Sequence, residues 1–368
     1  MLFLVWATSQ IIAYFHFGTM VSVDSEFYIN NATSITLGEW PQNSDLLYLT
    51  YSLLIALLQV LGLKATWIVV LQVFMSAAAI FSLFRITQTI SKNNLAPIVA
   101  SILYILWFKF QQWNLIVYTD SLFANSVVVA IFLLINARSK ISYLYVIIMV
   151  AFTALLRPMG IGFLIAIMSY FLYGRMVINK DKIIVKVVLL VVFVGVCLVI
   201  LNEVLRDFVT SFLQSYTNAE IIYPGISIGI EKPENLNMPD ETFQPLIQLL
   251  AFTVQNPFYM IKLSLLKAVI FLGHIKPYYS LFHNLIIGCF LYPVYIFALK
   301  GARIMPKNRL YVFMMVFIGF QVLTISLTSE NWDGRFLLPL LPWIFIISSL
   351  GIINFFQKQF GLSASNIR

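Results

Sequence analysis

The chain has 368 residues, of which 61% are hydrophobic and only 10% are charged, with a net charge of +8 and a mean hydropathy of +0.91. A soluble globular protein of this composition would expose large apolar surfaces, so the composition excludes that class and indicates a polytopic membrane protein. The basic residues are concentrated in short segments between apolar stretches, a distribution that reports membrane topology and gives no reason to expect a nucleic-acid partner.

The apolar stretches predict an all-α fold. A helix needs about 20 apolar residues to cross the hydrocarbon core of a bilayer, and about ten stretches come near that length. We therefore predict a polytopic bundle of about ten transmembrane helices in a single domain over residues 1–368. The stretches are 2–19, 64–86, 95–113, 120–137, 141–157, 159–175, 183–202, 280–299, 309–328 and 336–356.

Two further apolar stretches, 46–62 and 246–272, are interrupted or flanked by polar residues. We interpret them as helices that lie in the membrane interface or re-enter it. A full span at 46–62 would move every later loop to the other side of the membrane, which is why we predict an interfacial position for it.

The loops define an orientation. With the N-terminus inside, most basic residues fall on the inside, and Asp181 is the acidic residue that joins them. The positive-inside rule then predicts two large outside loops, 20–63 and 203–279. The inside basic residues are Arg85, Lys92, Arg138, Lys140, Arg175, Lys180, Lys182, Lys186, Lys300, Arg303, Lys307, Arg309, Lys358 and Arg368.

The first outside loop contains the polar stretch VSVDSEFYINNATSITLGEWPQNSD, with Asp24 and Glu26 directly after the first span. In an extended or irregular segment these two carboxylates would point to the same side and share a site. One could then accept the proton of an attacking hydroxyl while the other positions it or binds a cation. The alternative is the solvated start of a loop.

Two further candidates lie at the ends of later spans. Asp120, in the sequence TDS, begins a span and is a second candidate acid; the alternative is capping of the helix N-terminus. Arg157 precedes Pro158 between two apolar runs. An arginine at this depth is costly unless it pairs or reaches the interface, so the alternatives are a lipid phosphate or simple snorkelling.

The last outside segment, SENWDGRFLLPLLPWIF, places Glu330, Asp333 and Arg335 before a span. A guanidinium at headgroup depth can bind phosphate through two parallel hydrogen bonds. Local pairing of Arg335 with Asp333 or Glu330 is the alternative. Lys262 lies on an apolar helical background in the second outside loop, as expected of a helix in the headgroup plane.

The order of these features carries a resemblance. D-x-E-x-Y follows the first span, T-D opens a later span, R-P separates two spans, and R-F-x-x-P-x-x-P stands near the end. This order resembles the GT-C superfamily of polyprenyl-phosphate-sugar-dependent glycosyltransferases, in particular bacterial enzymes similar to protein O-mannosyltransferases and aminoarabinose transferases. The resemblance covers residues 20–355.

The resemblance implies an inverting glycosyltransferase of the bacterial inner (cytoplasmic) membrane, with its active site on the extracytoplasmic face and a role in cell envelope glycans. Its partners would be a polyprenyl-phosphate-linked sugar, membrane lipid, and a glycan, lipid or protein acceptor. No cofactor is implied with certainty, and a divalent metal ion stays open. The alternatives are a flippase or transporter of lipid-linked saccharides and an O-antigen-type polymerase.

The resemblance also implies roles for individual residues. Asp24 resembles the catalytic carboxylate and Asp120 the second acidic position. Glu26 departs from the family pattern, in which the glutamate directly follows the aspartate, because Ser25 intervenes here. Contacts to the donor phosphate are expected from Arg335, Arg157 and Lys262, and the acceptor or sugar cavity is expected to include Tyr28, Glu330 and Asp333.

Overall fold

A computed structural model describes residues 1–91, 94–178 and 205–360, together with 188, 191, 192, 195, 198, 199 and 201–203. The described residues are predominantly helical, which confirms the all-α fold class. Most of the predicted span 183–202 lies outside the described residues. The basic residues Lys92, Lys180, Lys182, Lys186 and Arg368 also lie outside them, as does Asp181.

The described residues form helices along most of their length. In chain order, these are α1 Leu2–Phe17, α2 Val23–Thr36, α3 Leu49–Val60, α4 Ile68–Ser91, α5 Leu95–Leu106, α6 Phe108–Trp113, α7 Thr119–Asn136, α8 Lys140–Ala154, α9 Gly160–Ile178, α10 Val209–Thr217, α11 Pro245–Gln255, α12 Pro257–Gly273, α13 Leu281–Ile304, α14 Arg309–Leu327 and α15 Leu341–Phe360. Two short strands, β1 Ile222–Tyr223 and β2 Glu330–Asn331, pair in parallel, with Ile222 opposite Glu330. Short 3₁₀ turns occupy Asn43–Tyr48, Ala65–Trp67 and Arg335–Leu337.

Six helical segments among the described residues are long and apolar enough to cross a membrane, and the bent pair α11–α12 makes a seventh if it is one span. These segments fit an integral membrane protein. The apolar helices at the positions of α1, α5, α8 and α9 are shorter. The six are Asn43–Val60, Ala65–Ser91, Thr119–Asn136, Leu281–Ile304, Arg309–Leu327 and Leu341–Gln359.

The stretch 46–62, expected to be interfacial, lies mostly within Asn43–Val60, an 18-residue helical segment that is long and apolar enough for a span. Its polar first turn makes it look shorter in the sequence. The stretch 95–113, expected to be one helix, is broken at Trp107 into α5 and α6. The Gln111 side chain donates to the carbonyls of Tyr104 and Ile105 beside this break, at 3.2 and 3.3 Å.

The chain divides into two compact units. Unit 1 comprises Met1–Leu164, Phe290–Lys307 and Leu338–Arg368, and unit 2 comprises Ile165–Cys289 and Asn308–Leu337.

Helix α4 is central to unit 1 and packs against α5 and α7. Its buried residues recur every three or four positions, which places them on one face of the helix. Ser76 and Ala79 on this face are small, so neighbouring helices can approach closely. The buried face is formed by Gln72, Ser76, Ala79, Leu83, Ile86 and Ile90.

Unit 2 has its own apolar cluster within residues 216–263, formed by residues such as Ile222, Phe252 and Leu263. Helix α12 packs against α14. Helices α11 and α12 meet at Asn256 with a bend of 106°. The Asn256 side chain accepts from the N–H of Asn237 at 3.1 Å and donates to the carbonyl of Asn237 at 2.9 Å.

Candidate functional site

Asp24 lies at the N-terminus of α2. The Ser25 hydroxyl accepts a hydrogen bond from the backbone N–H of Ser22 at 2.9 Å, which stabilises the first turn. Asp24 is the second residue of the helix, where the helix dipole favours a negative charge. Its side chain is half-buried, and its backbone N–H donates to the Tyr118 hydroxyl at 3.3 Å. The backbone of Asp24 is therefore held at a defined position, and the residue stays partly exposed.

Glu26 does not join this site. Asp24 and Glu26 would face the same side in an extended segment, but both residues are helical. Two residues along an α-helix turn the side chain by about 200°. Glu26 is accordingly exposed, while Asp24 is half-buried. The expectation that the two carboxylates point to the same side is wrong.

The start of α2 is hydrogen-bonded to the segment that precedes α7. Met20 donates to the carbonyl of Leu115 at 3.0 Å and accepts from the N–H of Val117 at 2.9 Å. The Ser25 hydroxyl donates to the carbonyl of Val117 at 2.8 Å. Because Asp120 follows this segment closely, the contacts fix the relative position of the two helix starts that carry Asp24 and Asp120.

Asp120 forms a buried ion pair with Arg157. The Arg157 side chain, in the turn between α8 and α9, donates to Oδ1 of Asp120, and the two residues are 6% and 1% exposed. The guanidinium also lies over the Phe123 ring, 5.8 Å from its centroid. The helix cap of α7 is Tyr118. Capping by Asp120 was one predicted role, and the structure gives it an ion pair instead.

Tyr28, one turn along α2 from Asp24, packs among three further tyrosines. Its ring lies 5.0 Å from Tyr51, 5.5 Å from Tyr48 and 6.2 Å from Tyr118, centroid to centroid. Burial raises the pKa of Tyr28 well above its usual value, with further contributions from Tyr48 and Asp120, and Thr119 and Arg157 oppose the rise. Tyr28 thus stays a neutral hydrogen-bond donor at physiological pH.

Unit 2 holds the second group of predicted residues. The backbone N–H of Arg335 donates to Oδ1 of Asp333 at 3.1 Å, and Nε of Arg335 lies 3.9 Å from the same oxygen. The guanidinium also lies over the Phe336 ring, 5.5 Å from its centroid. Arg335 is 9% exposed. Of the two roles left open by the sequence, local pairing with Asp333 is therefore present.

Glu330 is paired with a lysine that sequence reasoning did not select. Nζ of Lys276 lies 3.8 Å from Oε2 of Glu330, and both side chains are fully buried. Asn284 accepts from the N–H of Lys276 at 3.1 Å and donates to its carbonyl at 2.9 Å, which fixes the backbone here. Burial lowers the pKa of Lys276, and Glu330 and Asp333 oppose that effect. Loss of either residue of such a buried pair would leave the other charge without compensation.

Lys262 was predicted to contact phosphate and is exposed on α12. The buried lysine of that helix is Lys267, which donates to the hydroxyls of Ser215 at 3.2 Å and Ser329 at 3.3 Å and to the carbonyl of Thr328. Lys267 lies on the same face of α12 as the buried Leu263 and Phe271. The spacing of four residues that puts them on one face can be read from the sequence. A cation on an apolar helix face is the signal that could have identified it.

Among the residues that the structure describes, no three His, Cys, Asp or Glu side chains come together as a metal site. Comparison of the chain with protein family models, curated proteins and solved structures finds no match.

Proposed function

We propose that the protein is an inverting membrane glycosyltransferase, which moves a sugar from a polyprenyl-phosphate donor to an acceptor on the extracytoplasmic face. The observation that supports this most is the arrangement of Asp24 in unit 1. A half-buried carboxylate at a helix N-terminus is hydrogen-bonded through its backbone to the segment that leads into the buried Asp120–Arg157 pair.

The proposed reaction is a single displacement. The acceptor hydroxyl oxygen attacks the anomeric carbon, its proton passes to Asp24, and the bond between that carbon and the phosphate oxygen breaks with its electron pair on the phosphate. The leaving group is a lipid phosphate anion, which cationic side chains stabilise. The half exposure of Asp24 fits a base that an acceptor must reach.

Arg157 and Asp120 take a supporting role in this proposal. Their charges neutralise each other in the interior of unit 1, so Arg157 is better suited to hold Asp120 than to bind the donor phosphate alone. Tyr28 is 4% exposed beside the pair, so we assign it to the packing around Asp120 and not to a sugar contact. Arg335 belongs to unit 2, where it is 9% exposed beside Asp333. We propose that it contacts a lipid phosphate on that unit, since its planar group suits phosphate.

The remaining predicted residues are supported unequally. Glu330 is fully buried against Lys276, so we assign it to that ion pair and not to a sugar contact. Asp333 keeps partial exposure, and we assign it to the pair with Arg335 in unit 2. Lys262 is exposed, and we propose that it contacts lipid headgroups.

The proposed topology has about ten spans, with the shorter apolar helices crossing the membrane as well. Asn43–Val60 stays in the interface in this proposal, because a span there would move every later loop to the other side. The cytoplasmic membrane of a bacterium is the proposed location. The concentration of basic residues in the short loops on the inside supports an extracytoplasmic active site.

Transport of a lipid-linked saccharide is the second candidate. Interrupted helices near a binding site are typical of transporters, and the described part of the chain has interruptions at Trp107 and at the 106° bend of α11–α12. A transporter has no need of a base at Asp24.

The test uses cells without the protein and cells complemented with wild type, Asp24→Asn or Glu26→Gln at equal membrane levels. Mass spectrometry of envelope glycans and lipids should show one sugar missing without the protein and with Asp24→Asn, and present with wild type and Glu26→Gln. Purified protein in vesicles should then transfer that sugar from its polyprenyl phosphate. Wild-type envelope sugar with Asp24→Asn would remove the proposed base, and no transfer by the purified wild type would favour transport.

A further inference from the structure

The segment Asn114–Tyr118 connects α6 to α7 in the interior of unit 1 without being helical. Each of its residues is buried, from 0% exposed for Asn114 and Val117 to 6% for Ile116 and Tyr118. Irregular backbone inside a membrane bundle is tolerated only where its N–H and C=O groups find partners within the protein. The partners of this segment therefore determine where it lies.

One side of the segment is bonded to the start of α2. Met20 bonds Leu115 and Val117 through its backbone, the Ser25 hydroxyl donates to the carbonyl of Val117, and the N–H of Asp24 donates to the Tyr118 hydroxyl. A shift of the segment therefore shifts Asp24. It also shifts Asp120, which lies in the first turn of the next helix.

The backbone carbonyls on the other side of the segment accept from Gln72 of α4, while the Asn114 side chain bonds Gln10 and Asn125. Nε2 of Gln72 donates to the carbonyl of Asn114 at 2.9 Å and to that of Ile116 at 2.8 Å. Its Oε1 accepts a hydrogen bond from the Tyr51 hydroxyl at 2.8 Å. Gln72 is 0% exposed, so both ends of its amide are used in a site without water competition.

We propose that Gln72 is a positioning residue for the site formed by Asp24 and Asp120. It acts through the segment Asn114–Tyr118, by bonding the carbonyl of Asn114 and that of Ile116, which also accepts from the N–H of Tyr118. The inference rests on the proposed function for what Asp24 and Asp120 do, while the positioning itself is independent of it. An amide at this place in α4 is needed because it can donate twice and accept once.

Hydrogen–deuterium exchange of the full-length protein in lipid nanodiscs tests the positioning without an activity assay. Gln72→Leu keeps the size of the side chain and removes the three bonds. We expect amide exchange about tenfold faster both in peptides spanning residues 20–25 and in peptides spanning 115–119, since exchange reports local opening. Peptides from α14 should be unaffected.

The matched control is Gln321→Leu on α14. Gln321 is 1% exposed and also donates from its amide to a backbone carbonyl, that of Phe336, at 3.2 Å. This variant should leave exchange in 20–25 and 115–119 at the wild-type rate. Equal acceleration of these peptides by both variants would show a general loss of stability and overturn the proposal.

Tyr51→Phe provides a second variant that keeps the fold even if Gln72→Leu does not. It removes only the bond to Oε1 of Gln72 and should accelerate exchange in the same two regions, by less than Gln72→Leu does. Wild-type exchange in both regions for Tyr51→Phe and for any folded Gln72→Leu would overturn the proposal.

The activity arm measures how fast purified protein in vesicles transfers the sugar that is missing from cells without the protein, at varied donor concentration. Displacement of a reacting group by about 1 Å can lower a rate by roughly 100-fold, and we expect a loss of that order for Gln72→Leu in kcat with little change in donor KM. In an Asp24→Asn background Gln72→Leu should add little further loss. Independent, additive losses would overturn the link to Asp24. If cells lacking the protein keep all their envelope sugars, the glycosyltransferase proposal is rejected. Faster exchange in the Gln72→Leu protein would still support the positioning role of Gln72.

Discussion

Arg157 donates a hydrogen bond to Oδ1 of Asp120 across 37 residues of sequence, in the buried interior of unit 1. The partners are 7% and 1% exposed at their side chains. An ion pair so poorly hydrated gains little net stability over an apolar pair, but the loss of one partner leaves a charge with no compensation. Its energetic role is therefore visible only when the two residues are changed separately and together.

Arg157→Leu should lower the free energy of unfolding by about 3–5 kcal/mol, because it leaves the Asp120 carboxylate buried without its cation. The double variant Asp120→Leu/Arg157→Leu should lose clearly less. Thermal and denaturant unfolding in detergent measure both. Arg206→Leu is the control, since Arg206 pairs with Glu203 while 64% exposed, and should cost less than about 1 kcal/mol. A double variant as unstable as Arg157→Leu would contradict the assignment.

Lys276→Met and Lys262→Met should differ strongly in stability. The first leaves Glu330 fully buried without its partner at 3.8 Å, so a loss of about 3 kcal/mol or more is expected. The second changes an exposed side chain and should stay within about 0.5 kcal/mol of wild type. Both are measured by unfolding in detergent at neutral pH. A similar stability for the two variants would show that Lys276 and Glu330 do not act as a pair.

Alkaline unfolding should depend on Tyr28. Its pKa is raised in the folded protein, so above the unfolded value of about 10 the folded state holds a proton that the unfolded state has released. The stability that Tyr28 contributes is complete below that pH and is lost as pH rises toward the folded pKa. Tyr28→Phe should therefore show a shallower decline between about pH 9 and 12, measured by unfolding at each pH. An identical slope for both proteins would contradict the burial of this hydroxyl.

Gly334→Ala should destabilise unit 2 more than Gly225→Ala does. Both glycines have a left-handed backbone, with φ of +70° and +69°, but a Cβ on Gly334 would lie 2.2 Å from Cε1 of His274, whereas one on Gly225 meets nothing within 4 Å. The backbone alone costs about 1–2 kcal/mol in each variant. The excess at Gly334 should disappear in a His274→Ala background. Equal losses of stability for the two variants would show that the His274 side chain moves away from the added Cβ at no cost in free energy.

Composition and hydropathy are sufficient to predict the all-helical fold, because lipid-facing helices must be apolar over most of their length. Helix α2 is not predictable in the same way. The sequence of Val23–Thr36 is polar and lacks an apolar stripe, so it reads as a loop. It is helical because Ser22 and Ser25 stabilise its first turn and because Ser25 bonds Val117, 92 residues away. Local sequence patterns do not predict a contact between residues so far apart in the chain.

The site residues are predictable to different degrees. Asp24, Asp120 and Arg157 each carry a local signal, a charged residue at the end of an apolar run, but the pairing of the last two depends on how α7 and α8 pack. Lys267 could be predicted to be buried from its position on the apolar face of the helix. The prediction of Lys262 does not consider which face of the helix each lysine occupies. Lys276 has no local signal, since its burial depends on Asn284 and Glu330, which lie 8 and 54 residues further along the chain.

The bend between α11 and α12 has a mechanical consequence. Asn256 bonds the N–H and the carbonyl of Asn237, so moving the acidic loop away from Asn256 breaks two hydrogen bonds at the bend. The exposed loop is thereby anchored at the point where the two helices change direction.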